Sequence, residues 1–166
     1  MGSARICAVV ILMGISATAA TAQSIQGVDV PCSVTRPNGT PANGQRAPLR
    51  NNTLHGNEAL SVTLTADSTS VFRPGGPGSV LPDGALKIKY PMFRGVAGQL
   101  AIRGRRLDAP AAPLQAEIPA GYGQIGLQPV SLIFPTTGCW EVTGTLDGAS
   151  LTFVVKVIKV GEGPTR

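Results

Sequence analysis

The strongest constraint on the fold is a pair of alternating segments near the C-terminus, joined by the tight turn Leu146-Asp147-Gly148-Ala149. In Gly138-Cys139-Trp140-Glu141-Val142-Thr143-Gly144, Trp140 and Val142 share one parity. In Ser150 to Val160, Leu151, Phe153, Val155 and Val157 share one as well. A period of two is the signature of a half-buried strand, and Asp-Gly between two such runs marks a hairpin. These six apolar side chains are therefore the expected core. Val154 and Ile158 lie on the other parity, so the second face of the last strand is expected to be half covered.

The same period recurs upstream. Leu60-Ser61-Val62-Thr63-Leu64-Thr65 alternates, a short strand falls at 70–73, and Leu81-Pro82-Asp83-Gly84-Ala85 turns into Leu86-Lys87-Ile88-Lys89-Tyr90. Further strands are expected at 98–107, at 114–118 as an edge between prolines, and at 128–134 in a more central place. With 21 Gly and 14 Pro supplying turns, and no helical period after the first residues, the count is about seven strands. That pattern argues an all-β antiparallel sandwich and leaves a barrel open. Residues 33–56, rich in Pro, Asn, Gly and Arg, read as a surface loop or N-terminal arm. The expected organisation is a signal segment at 1–22, an arm at 23–57, a sandwich at 58–160 and a tail at 161–166.

The first residues carry one charge, Arg5, an apolar run Ile6 to Met13, and small residues ending Ala20-Thr21-Ala22. That is the pattern of a secretory signal cleaved before Gln23, and the run is too short to span a bilayer. Export to a periplasmic or extracellular space follows as the expectation, with no transmembrane helix in the mature chain. Cleavage lowers the formal net charge from +5 to +4. It also leaves two thiols, Cys32 and Cys139, for which a disulfide is the simplest expectation in an oxidising compartment and two free buried cysteines the alternative.

The segments Phe134-Pro135-Thr136-Thr137-Gly138-Cys139-Trp140-Glu141-Val142-Thr143-Gly144 and Ser150-Leu151-Thr152-Phe153-Val154-Val155-Lys156-Val157 resemble the C-terminal signature of a group of uncharacterised secreted bacterial proteins. Pro74-Gly75-Gly76-Pro77-Gly78, Leu81-Pro82-Asp83-Gly84, Gly104-Arg105-Arg106-Leu107-Asp108 and Pro119-Ala120-Gly121-Tyr122-Gly123 are similar to other stretches of that group. The resemblance spans roughly residues 70–160. It implies an exported immunoglobulin-like β-sandwich, a fold that often ends on a hairpin with one large aromatic in its first strand.

Chemistry is sparse. The single histidine, His55, has no G-x-S-x-G elbow to serve, and Cys139 is no nucleophile once oxidised. The carboxylates are scattered, so neither a metal site nor a glycosidase pair is assigned, and no cofactor is implied. Arg73-Pro74-Gly75-Gly76-Pro77-Gly78 lacks the Gly-Lys-Ser/Thr end of a phosphate loop and reads as a turn. Asn51 heads an N-x-T sequon. Trp140 reads as a buried anchor whose indole finds one acceptor, against the alternative of a sugar platform.

One surface feature stands out. Arg103, Arg105 and Arg106, with Arg94 nearby in sequence and Lys87 and Lys89 on an earlier strand, read first as solvated edge charges; the functional alternative is that in a meander they line one basic face suited to an acidic envelope polymer or another envelope protein. Nucleic acid is not an expected partner of an exported chain with few exposed aromatics. The functional expectation is a non-catalytic envelope binding or accessory module. The alternatives are a hydrolase or enzyme subunit with a site near His55, and a glycan-binding module that needs Tyr90, Phe93 and Tyr122 exposed and coplanar.

Overall fold

A computed structural model describes residues 31–46 and 53–164. The expected signal segment at 1–22 and the sequon at Asn51 lie outside the described residues. Ten strands follow in chain order: β1 (Leu54–Gly56), β2 (Leu60–Thr63), β3 (Thr69–Phe72), β4 (Ser79–Val80) and β5 (Leu86–Arg94) come first. They are followed by β6 (Leu100–Arg106), β7 (Gln115–Glu117), β8 (Gly126–Phe134), β9 (Gly138–Leu146) and β10 (Ala149–Lys159). No helix among the described residues is long and apolar enough to cross a membrane.

Two sheets form. The first has the order β1-β2-β5-β8-β7, with β4 also pairing β5, and the second has the order β3-β10-β9-β6. All pairings are antiparallel except β3 with β10, where Val157 faces Ser70 and Ile158 faces Val71. In the lettering of immunoglobulin sandwiches, β2-β5-β8-β7 is A-B-E-D and β10-β9-β6 is G-F-C. The chain leaves the first sheet after β2 and reappears in the second as β3. The N-terminal strand is thus split between the sheets. The expected all-β sandwich is the fold observed, with ten strands against the about seven counted from the pattern, the short β1 and β4 lying at its margins.

The hairpin closes as its sequence dictates. Ala149 pairs Leu146, and Asp147 and Gly148 both take positive φ (45° and 84°), the type I′ geometry that matches strand twist. Trp140, Val142, Leu151, Phe153, Val155 and Val157 are all buried in the core, against Leu60, Val62, Tyr90, Met92 and Leu132 of the first sheet. Phe134 meets Trp140 edge-on with centroids 5.7 Å apart, and the Trp140 indole N–H donates to the Thr136 carbonyl at 3.0 Å. That bond ties the turn between β8 and β9 to the strand that follows, so Trp140 is a core anchor with its one polar atom satisfied. Gly144 faces inward beneath Leu60, whose Cδ2 would stand 2.9 Å from any added Cβ, so the sheets approach closely there because a side chain is missing.

Within the expected arm, residues 31–46 form no strand but are fastened to the sandwich. Cys32 and Cys139 lie at disulfide distance, with sulfurs 2.11 Å apart, which fastens the start of the described chain to β9. From there Thr35 pairs with the free edge of β10, its N–H donating to the Val154 carbonyl and its hydroxyl accepting from the Val154 N–H. Farther on, Gly39 N–H donates to the Leu54 carbonyl and Asn43 N–H to the Glu58 carbonyl. The segment 31–46 is thus a strap across the open side of the sandwich. It satisfies backbone groups that an edge strand would otherwise expose. At the end of the expected arm, β1 pairs with β2 through His55 and Val62.

Candidate functional site

Strand parity builds the most distinctive surface. On β5 the even positions Leu86, Tyr90, Met92 and Arg94 are buried, so Lys87, Lys89, Pro91 and Phe93 project from the outer face of the first sheet. Antiparallel pairing sets Lys89 beside Ser131, Pro91 beside Pro129 and Phe93 beside Leu127 of β8. The outer face therefore grades from cationic to apolar along two adjacent strands.

This face is a trough with two walls. On one side a groove of about 500 Å³ is bounded by Pro77, Gly78 and Ser79. On the other, a groove of about 590 Å³ is bounded by Glu117, Ile118, Pro119 and Tyr122. Lys87, Lys89 and Ser131 belong to both. The Lys87 ammonium is 2.5 Å from a Glu117 carboxylate oxygen, whereas Lys89 is exposed and has no ion-pair partner among the described residues. Within the trough, Lys89 is the cation free to meet an anion.

Beyond the Tyr122 wall lies another groove of about 590 Å³, at the end of the sandwich. Arg94 enters it from the buried side of β5, only 6% exposed. Its Nη1 donates to the Gly98 carbonyl at 3.3 Å, and its Nη2 donates to the Gly123 carbonyl. Gln128, also buried, donates to the Pro119 carbonyl at 3.2 Å. These two side chains hold the 119–123 loop from beneath, leaving the Tyr122 ring half exposed between the grooves.

The expected single basic face is therefore corrected. Lys87 and Lys89 lie on the first sheet, Arg103 and Arg105 project from β6 in the second, and Arg94 has the opposite parity to the lysines and is buried. The physical reason is the crossover from β5 to β6, which sends consecutive strands into different sheets. Arg105 donates to a Glu141 carboxylate oxygen at 2.8 Å, and that bond raises its pKa. Arg106 is turned onto Asp108 at 2.7 Å, and its hydrogen bond holds the Asp108 carboxyl below the usual value. Arg103 remains exposed beside Gly104 and Thr143 over a shallow groove of about 290 Å³.

The other sequence candidates separate as well. Tyr90 is buried and stacks on Phe153 with centroids 6.1 Å apart, Phe93 is half buried, and Tyr122 is exposed, so no platform of three aromatics exists. His55 sits in β1 with Nε2 3.3 Å from the Thr152 carbonyl oxygen, which makes the ring a bridge to the β10 edge. A carbonyl only accepts, so this contact assigns the proton to Nε2. Among the described residues no group of three or more His, Cys, Asp or Glu side chains could hold a metal ion.

Sequence reasoning missed the glutamines Gln99, Gln124 and Gln128 that line the end groove with Arg94. A signal was present in Leu86-Ile88-Tyr90-Met92-Arg94, where the arginine continues the inward parity of a strand whose lysines take the other face. No family model, curated protein or solved structure matches the chain.

Proposed function

We propose that this protein is an exported, non-catalytic binding module of the cell envelope, and that it takes an acidic ligand in the trough on the outer face of the first sheet. The observation that carries the reading is Lys89, an exposed cation with no ion-pair partner among the described residues, in a groove with an aromatic wall. Concave surfaces with a few convergent polar groups and an aromatic side chain are where ligands settle on rigid scaffolds. Export is supported by the N-terminal pattern of charge, apolar run and small residues, and by a cysteine pair at disulfide distance, since such bridges persist in oxidising compartments.

The test is co-sedimentation of the mature chain, residues 23–166, with isolated envelope material at low and high salt. Binding that weakens with salt and is lost in Lys89→Glu, but kept in an Arg103→Glu/Arg105→Glu variant, supports the trough. Binding lost only in the arginine variant would move the site to the second sheet and refute the assignment.

A further inference from the structure

Arg94 presents an electrostatic anomaly. A guanidinium carries a full charge and five N–H donors, yet this one is 6% exposed and has two backbone carbonyls as its hydrogen-bond partners. Among the described residues its buried Nε has no hydrogen-bond partner and none of the ion pairs includes it. Buried charges are normally compensated by an opposite charge, because carbonyl dipoles replace hydration only in part. Among the described residues no carboxylate lines the groove that Arg94 enters. Its polar lining is completed by the amides of Gln99, Gln124 and Gln128.

We propose that this groove is a carboxylate-binding subsite, and that its ligand is an acidic sugar unit of a polysaccharide. The proposal rests on the reading that the neighbouring Lys89 trough takes an acidic ligand. A planar guanidinium matches a planar carboxylate through paired N–H donors, and the exposed primary amides of Gln99 and Gln124 both donate to and accept from hydroxyl groups. The two grooves share Ile118, Pro119 and Tyr122 as a common wall. A half-exposed phenol ring with a cation on either side suits a polymer whose successive rings stack on an apolar surface while each carries a negative charge. A peptide would need neither the glutamine rim nor the ring face, so the sugar is the better match.

Isothermal titration of the mature chain with oligogalacturonate, with its carboxyl-reduced neutral counterpart, and with polyglutamate tests this. The expected result is saturable binding to oligogalacturonate and weakening of about ten-fold or more for the neutral oligomer, the scale of one lost charge-assisted hydrogen bond. Arg94→Lys keeps the charge but loses the fork, and is expected to weaken binding about ten-fold, with the near-ultraviolet signal of Trp140 reporting that the fold is kept. Gln124 is exposed, so Gln124→Leu tests the site without risk to folding, and a loss of about three-fold or more is expected. Oligogalacturonate binding that survives both changes but disappears in Lys89→Glu would overturn the subsite and leave the trough standing. Stronger binding of polyglutamate would overturn the sugar assignment. No binding of any acidic oligomer at millimolar concentration would overturn this inference, and envelope binding in the sedimentation assay would then decide separately whether the trough reading survives.

Discussion

Removing the bridge between Cys32 and Cys139 should be the most informative single perturbation of stability. The cysteines are 107 positions apart, and a cross-link over that span removes about 16 cal/mol/K from the unfolded chain, or about 4.8 kcal/mol at 25 °C. The folded state should change little in Cys32→Ala/Cys139→Ala. Thr35 still pairs with Val154 at 2.8 and 2.9 Å, the Ser68 hydroxyl still donates to the Thr35 carbonyl, and Asn43 N–H still donates to the Glu58 carbonyl. Alanine at 139 also avoids placing a hydroxyl where the native side chain is 3% exposed. Urea unfolding at pH 7, followed by Trp140 fluorescence, should show a loss of about 3 to 5 kcal/mol, most of a typical domain's stability. The slope against urea should rise, because an unfolded chain freed of its largest loop exposes more surface. A loss below about 1.5 kcal/mol with an unchanged slope would refute the chain-entropy reasoning. It would mean that the bridge adds nothing to the strap beyond its hydrogen bonds.

Three further outcomes are expected. Trp140→Ala should cost about 3 to 5 kcal/mol by equilibrium unfolding, since it opens a cavity under Phe134 and frees the Thr136 carbonyl, while Trp140→Phe should cost clearly less. Burial pushes the Tyr90 hydroxyl pKa up to about 12, against the pull of its hydrogen bond with Ser70. The raised value favours the neutral phenol in the folded state, so its contribution is complete below pH about 10 and is lost as pH climbs toward 12, by up to about 3 kcal/mol. Unfolding curves at pH 9 and 11.5 should therefore diverge more for the native chain than for Tyr90→Phe. Finally, His55→Ala should cost about 1 kcal/mol and leave ligand binding unchanged, because the ring serves the β10 edge. A hydrolytic activity that vanished in that variant would contradict the structural role.

Much of the fold was legible because burial on one face writes a period of two into a strand. The hairpin β9–β10 was readable down to its six core residues and its Asp147-Gly148 turn, since both are local features. β1 was not, because a three-residue strand in Leu54-His55-Gly56 carries no period long enough to detect. Its pairing exists because β2 offers an edge and the strap covers it. The candidate site was harder still. Lys87 and Lys89 were correctly seen to share a face, but grouping them with Arg103 and Arg105 assumed that neighbouring strands in sequence are neighbours in one sheet.

Local period and counting suffice to show which side chains of the longer strands point inward, where the chain turns, and that two cysteines are available to each other. Which strands share a sheet emerges only once the chain is folded. The β5-to-β6 crossover placed lysines and arginines on opposite faces, and the loop before β8 closed over Arg94 so that a cation lies in a groove lined by amides. The reason is that sheet assignment depends on long-range backbone pairing and on how two apolar faces pack, and neither leaves a trace within any one segment.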